Sequence, residues 1–130
     1  MATRHQARRA AVSLLYASEF NAQSEEGVAE FLEDKKVRGT QRDFVLSLYQ
    51  GVQTNLELLD AKIQPFIKQT QRPSIVEMAI LRLSAYEFFY SDTPKAIIIN
   101  EAIELAKELA SDNAPKFINA VLDALKGAKK

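Results

Sequence analysis

Helix-start signals recur along this chain, and they leave little room for anything but a bundle of short helices. Thr3-Arg-His-Gln6, Thr54-Asn-Leu-Glu57 and Ser74-Ile-Val-Glu77 each have the form of a capping box. In a capping box a hydroxyl accepts the amide proton three residues on, and the Glu or Gln side chain returns to the amide of the capping residue. Asp92-Thr-Pro94 and Ser111-Asp-Asn-Ala-Pro115 add caps followed by proline, which is tolerated in a first helical turn because the amide it lacks has no partner there.

Between these signals the apolar residues recur at helical spacing. A first helix is expected from about Arg4 to Asn21, with Ala7, Ala11, Leu14 and Ser18 on one face and His5, Arg9 and Tyr16 on the other. A second, acidic helix runs from about Ser24 to Asp34 and turns Val28, Phe31 and Leu32 inward, and residues 35–39 form a loop. The third begins near Thr40 on Phe44, Leu48 and Val52. The fourth opens at the Thr54 box and is limited by Pro65, which crowds the preceding turn. The Ser74 box starts a helix to Tyr90 whose Ile75, Met78, Ala79, Leu81, Leu83 and Tyr86 make it the candidate centre. A sixth helix starts with Thr93 as cap and Pro94 as first helical residue, and a seventh runs from about Pro115 to Lys126. No strand pattern stands out. The expected fold is all-α, about seven helices with short connections.

The 130 residues suit one domain, residues 1–130, with one sizeable core. Absence of cysteine removes disulfides, thiolate metal sites and cysteine nucleophiles, and fits a reducing compartment. Neither a signal-peptide core nor an apolar run long enough for a bilayer is present, so a cytoplasmic protein with no membrane partner is expected. With a single histidine, the usual nucleophile–base pairings and zinc sites lack parts. The four glycines are isolated and make no phosphate loop. No catalytic residue, metal ligand or cofactor is expected, and Glu101, Glu104 and Glu108 are read as a solvated helix face.

Charge is where the sequence speaks of function. Seventeen basic and seventeen acidic residues cancel, yet no acid precedes Glu19, whereas residues 19–34 hold six acids and no base. His5, Arg9 and Tyr16, with Arg8 at the edge, place cations beside an aromatic ring, which suits the phosphates and unstacked bases of single-stranded RNA. A solubilising helix face is the other reading of the same residues. Arginines at a helix N-terminus oppose the macrodipole, which argues for a purpose beyond stability. Lys116-Phe117, close behind a helix cap, admits the same two readings: a second stacking point or core.

The segments RHQARRAAVSLLY, VEMAILRLSAYEF and PKAIIINEAIELAKELASDNAPKFINAVLDAL together resemble the NusB family of bacterial transcription antitermination factors over nearly the whole chain. The resemblance implies a fold of two packed helical bundles, no catalysis, and binding to single-stranded boxA RNA of ribosomal RNA leader transcripts together with the ribosomal protein NusE, as part of an RNA polymerase antitermination complex. It decides the charge question in favour of RNA. The implied RNA residues are Arg4, Arg8, Arg9 and Tyr16 with Lys116 and Phe117, and the outward face of the first helix adds His5 to them. The implied partner surface carries Glu77, Tyr86, Glu87 and Asn113. NusB-like domains also precede some ribosomal RNA methyltransferases, and a chain ending at Lys130 is expected to be the free factor. The rival expectation is a helical interaction scaffold or homodimer that does not itself touch RNA.

Overall fold

A computed structural model describes residues 2–128. Seven α-helices follow one another: α1 (Arg4–Ser18), α2 (Glu25–Asp34), α3 (Gly39–Thr54), α4 (Leu56–Ile63), α5 (Ile75–Tyr90), α6 (Lys95–Leu109) and α7 (Ala114–Ala128), with a 3₁₀ turn at Gln64–Phe66 after α4. None of them is long and apolar enough to cross a membrane.

Two of the three capping boxes form as the sequence requires. The Thr3 and Gln6 pair closes the start of α1, and Ser74 with Glu77 closes the start of α5, where the Ser74 amide donates to the Glu77 carboxylate at 2.7 Å and the Glu77 amide to the Ser74 hydroxyl at 3.1 Å. The Thr54 box does not form. Thr54 is the last residue of α3, and Asn55 both ends that helix and begins α4 while its side-chain amide donates back to the Gly51 carbonyl at 2.8 Å. The chain bends at one residue there, leaving no extended cap position for the threonine. At α6 the cap falls one residue later than expected, on Pro94, with Lys95 as the first helical residue.

α5 is the hub. It packs against α1, α3, α4, α6 and α7, and it is apolar around its circumference, as a helix enclosed on all sides must be. Ala79, Ile80, Leu81, Leu83, Ala85 and Phe88 are buried on it. α1 and α3 pack on each other and on α5, and α6 and α7 likewise pack on each other and on α5, with α4 against α5 and α7. Both groups drain into one continuous core. In α7 the buried Ala114, Ile118, Val121, Leu122 and Leu125 give a single apolar stripe.

Gly51 decides how near α3 lies to α5. A Cβ at this position would overlap the Tyr86 ring, so the glycine makes room for that ring beside α3. Tyr86 in turn stacks on Tyr90 with ring centroids 4.9 Å apart. The aromatic cluster of α5 is thereby divided: Phe88 is buried, Tyr86 and Phe89 are half-buried, and Tyr90 is exposed. Ile75 and Met78, expected inward, are exposed and half-buried respectively, at the start of α5 before its buried run begins at Ala79.

Candidate nucleic-acid interface

The basic stretch of α1 separates into an interior and an exterior set. Arg8 is the interior member. It is 6% exposed, and its guanidinium makes a two-pronged bond to Glu87 of α5, Nε and Nη2 each donating at 2.9 Å to one carboxylate oxygen. Glu87 is 2% exposed. A second carboxylate, Glu101 of α6, stands 3.5 Å from Arg8 Nη1. Burial lowers the arginine pKa, but the Glu87 hydrogen bond and charge outweigh it and the pKa is raised, so the pair is ionic. Arg8 was expected at RNA and Glu87 at a protein partner; the structure buries both, and each neutralises the other inside the helix packing. With both groups out of water, the two-pronged bond compensates the cost of burying them, and Glu101 adds a second negative charge to Arg8.

Arg4, His5 and Arg9 make up the exterior set. Arg4 lies over the Phe44 ring of α3, 3.8 Å from its centroid, and Nη1 donates to Gln41 at 3.3 Å. Arg9 is half-exposed at its side chain (49%) and donates to Glu108 of α6 at 2.7 Å. His5 is clasped between two α6 carboxylates, Nδ1 at 2.9 Å from Glu101 and Nε2 at 2.6 Å from Glu108. Carboxylates only accept, so both ring nitrogens must donate and the geometry is that of an imidazolium. Partial burial lowers the His5 pKa, but the bonds and charges of Glu101 and Glu108 more than offset it and the pKa rises from its ordinary 6.5. For Glu108 desolvation raises the pKa, and the hydrogen bonds from His5 and Arg9 prevail and lower it from its ordinary 4.5.

The α6 glutamates lie on a largely solvated face, as expected for Glu104 and Glu108, which are exposed, while Glu101 is half-buried. From that face Glu101 and Glu108 reach across to α1, and Glu104 pairs with Lys107 at 3.2 Å.

Tyr16 is 41% exposed on the same helix, its ring 5.1 Å from that of Phe20, itself exposed. Lys116 is exposed on the first turn of α7, and Phe117 is half-buried. The α6–α7 connection is short, so the start of α7 lies at the end of α6 that holds Glu108 and, through it, Arg9. Phe117 faces a shallow recess shared with Arg72, Pro73 and Glu77, which brings a residue expected at RNA next to one expected at a protein partner. Glu77 is half-buried with one carboxylate oxygen engaged by its own cap. Asn113 is exposed in the α6–α7 connection, and its carbonyl accepts from Phe117 N at 3.3 Å.

Sequence reasoning missed Arg82 of α5, held by Asp60 of α4 at 2.8 and 3.0 Å and reached by Glu19 at 3.8 Å. It also missed Lys35 and Lys36, which line a recess with Arg9 and Phe31. Among the described residues no three or more acidic or histidine side chains are grouped to hold a metal ion.

The fold and this cation-bearing edge define an all-helical protein with a candidate nucleic-acid face on α1. The chain belongs to the NusB family of transcription antitermination proteins, whose family model matches residues 5–126. It is 56% identical over the full length of both chains to the transcription antitermination protein NusB of Campylobacter jejuni. With that of Campylobacter lari it shares 55% over 96% of each. Among solved structures, NusB of T. maritima superposes with a TM-score of 0.87 at 28% identity, covering 97% of this chain and 92% of that one. A crystal structure of antitermination factors NusB and NusE in complex with dsRNA has a TM-score of 0.85 at 26% identity over 97% of each chain.

Proposed function

We propose that this protein is a transcription antitermination factor that binds single-stranded boxA RNA of ribosomal RNA leader transcripts together with the ribosomal protein NusE, and so keeps RNA polymerase processive on ribosomal RNA operons in the cytoplasm. The observation that carries the reading is the exterior edge of α1. Arg4 and Arg9 offer charge to phosphates, Tyr16 offers an exposed ring to a base, and Lys116 extends the positive edge from the start of α7. The likeness to a complex of NusB and NusE with dsRNA supports RNA and NusE as partners. Glu77 and the exposed Ile75 and Ile97 on α5 and α6 are the contacts proposed for NusE.

A second reading, an interaction scaffold or homodimer that leaves RNA alone, draws on the fact that His5 and Arg9 already have partners in Glu101 and Glu108. Titrating labelled boxA RNA with the purified protein, with and without NusE, separates the two. Binding that strengthens with NusE is expected. Absence of binding in both titrations would overturn the RNA reading and leave the scaffold.

A further inference from the structure

The connection between α2 and α3 has an irregular backbone that its own hydrogen bonds do not require of a lysine. α2 ends in a Schellman motif: Val37 N donates to the Leu32 carbonyl at 2.9 Å and Lys36 N to the Glu33 carbonyl at 3.0 Å. Val37 is buried, as the residue closing that motif usually is. The position before it demands a left-handed conformation, normally met by glycine. Here Lys36 occupies it, with φ of 58°. The negative end of the α2 dipole favours a cation nearby, but Lys35 next to it supplies one with ordinary backbone. A lysine kept in left-handed geometry indicates that its side chain is wanted where that geometry sends it.

That place is a recess of about 410 Å³ between α1 and the end of α2, lined by Arg9, Lys35, Lys36, Phe31, Gln6 and Ser13 among others. Its volume lies in the range of small-ligand sites. Three cations and no acid line it. Lys35 Nζ stands 5.7 Å from the Phe31 ring centroid, and among the described residues neither Lys35 nor Lys36 has an ion-pair partner. Arg9 belongs to both this recess and the exterior edge of α1.

We infer that this recess is a nucleotide subsite: it receives one nucleotide of the bound RNA, with a phosphate between Lys35, Lys36 and Arg9 and the base against Phe31, while Gln6 and Ser13 offer polar contacts. The inference rests on the RNA reading and extends it, carrying the RNA path from the outer edge of α1 over to the α2–α3 connection. Charge complementarity selects a phosphodiester over an apolar segment, and the ring beside the cations selects a nucleotide over a bare anion.

The test uses the full-length protein and short single-stranded RNA carrying boxA, titrated with and without NusE over a range of salt. Lys35→Gln combined with Lys36→Gly is expected to weaken binding about tenfold and to make the logarithmic salt slope shallower by about 1.4, at about 0.7 for each phosphate contact on a single strand. Phe31→Leu is expected to weaken binding with the slope unchanged, as loss of stacking does. Lys36→Gly alone relieves the left-handed backbone, so its melting temperature is expected to equal or exceed that of the parent while RNA binding falls. Opposite signs for stability and binding separate a ligand role from a structural one. Parent binding with variants of unchanged affinity and slope overturns the subsite and leaves the RNA function standing. Failure of the parent to bind RNA under either condition overturns both.

Discussion

Arg8 and Arg9 are neighbours on one helix, and the structure treats them as different kinds of residue. Arg8 points into the junction of α1 with α5 and is closed around Glu87, whereas Arg9 lies at the junction of α1 with α6 with about half of its side chain in water. The interior pair is fixed by desolvation: once both groups are buried, neither tolerates the loss of the other. The exterior pair is a surface salt bridge, weak, screened, and open to exchange of Glu108 for a phosphate. A basic stretch is therefore not one patch; burial sorts its charges into those enclosed in the fold and those left at the surface.

The largest expected effect comes from breaking the interior pair. Arg8→Ala leaves Glu87 buried and unpaired and should lower unfolding free energy by about 3–5 kcal/mol in urea titration. A loss below about 1 kcal/mol would show that water reaches the pair and would erase the contrast. Replacing both partners, Arg8→Met with Glu87→Met, should recover most of that stability because no lone charge remains. Arg9→Ala should change stability by less than about 1 kcal/mol in the same titration, as an exposed pair does.

The smallest effect is that of pH on the α1–α6 clasp. With the His5 pKa raised, its contribution is complete below pH 6.5 and declines as pH rises through the folded value. Because the Glu108 pKa is depressed, its contribution is complete above pH 4.5 and declines as pH falls through the folded value. The clasp is whole between these limits. Melting followed from pH 6 to pH 9 should show a decline of about 0.5 kcal/mol, the size of a surface pair, and His5→Gln should flatten it. A parent profile that is flat, or that rises with pH over this span, would remove the imidazolium from the account.

Much of the helix order could be read directly, because capping and periodicity are local. Thr3 with Gln6, Ser74 with Glu77, and the apolar girth of α5 all needed only their own sequence neighbours. The Thr54 box failed for a reason no local pattern contains: α3 runs on through Thr54 until the chain turns at Asn55. The site was legible in part. Tyr16 and Lys116 are exposed as a surface role requires, but periodicity could not reveal that Arg8 finds a carboxylate 79 residues away, or that His5 is held by partners 96 and 103 residues away. Such pairs are made by packing, and the helical wheel of α1 has no knowledge of α5 or α6. Lys35 and Lys36 did leave a trace: a lysine pair closes an acidic helix where a glycine would ordinarily end it.

The proposed division of α1 into a structural arginine and an RNA-binding one is tested most directly by the salt dependence of RNA binding. Affinity for boxA RNA is measured against salt concentration for the parent, for Arg9→Ala, and for Arg8→Met with Glu87→Met. The account predicts a slope shallower by about 0.7 for Arg9→Ala and a slope parallel to the parent for the double replacement. The reverse, an unchanged slope for Arg9→Ala and a shallower one for the double replacement, would contradict it.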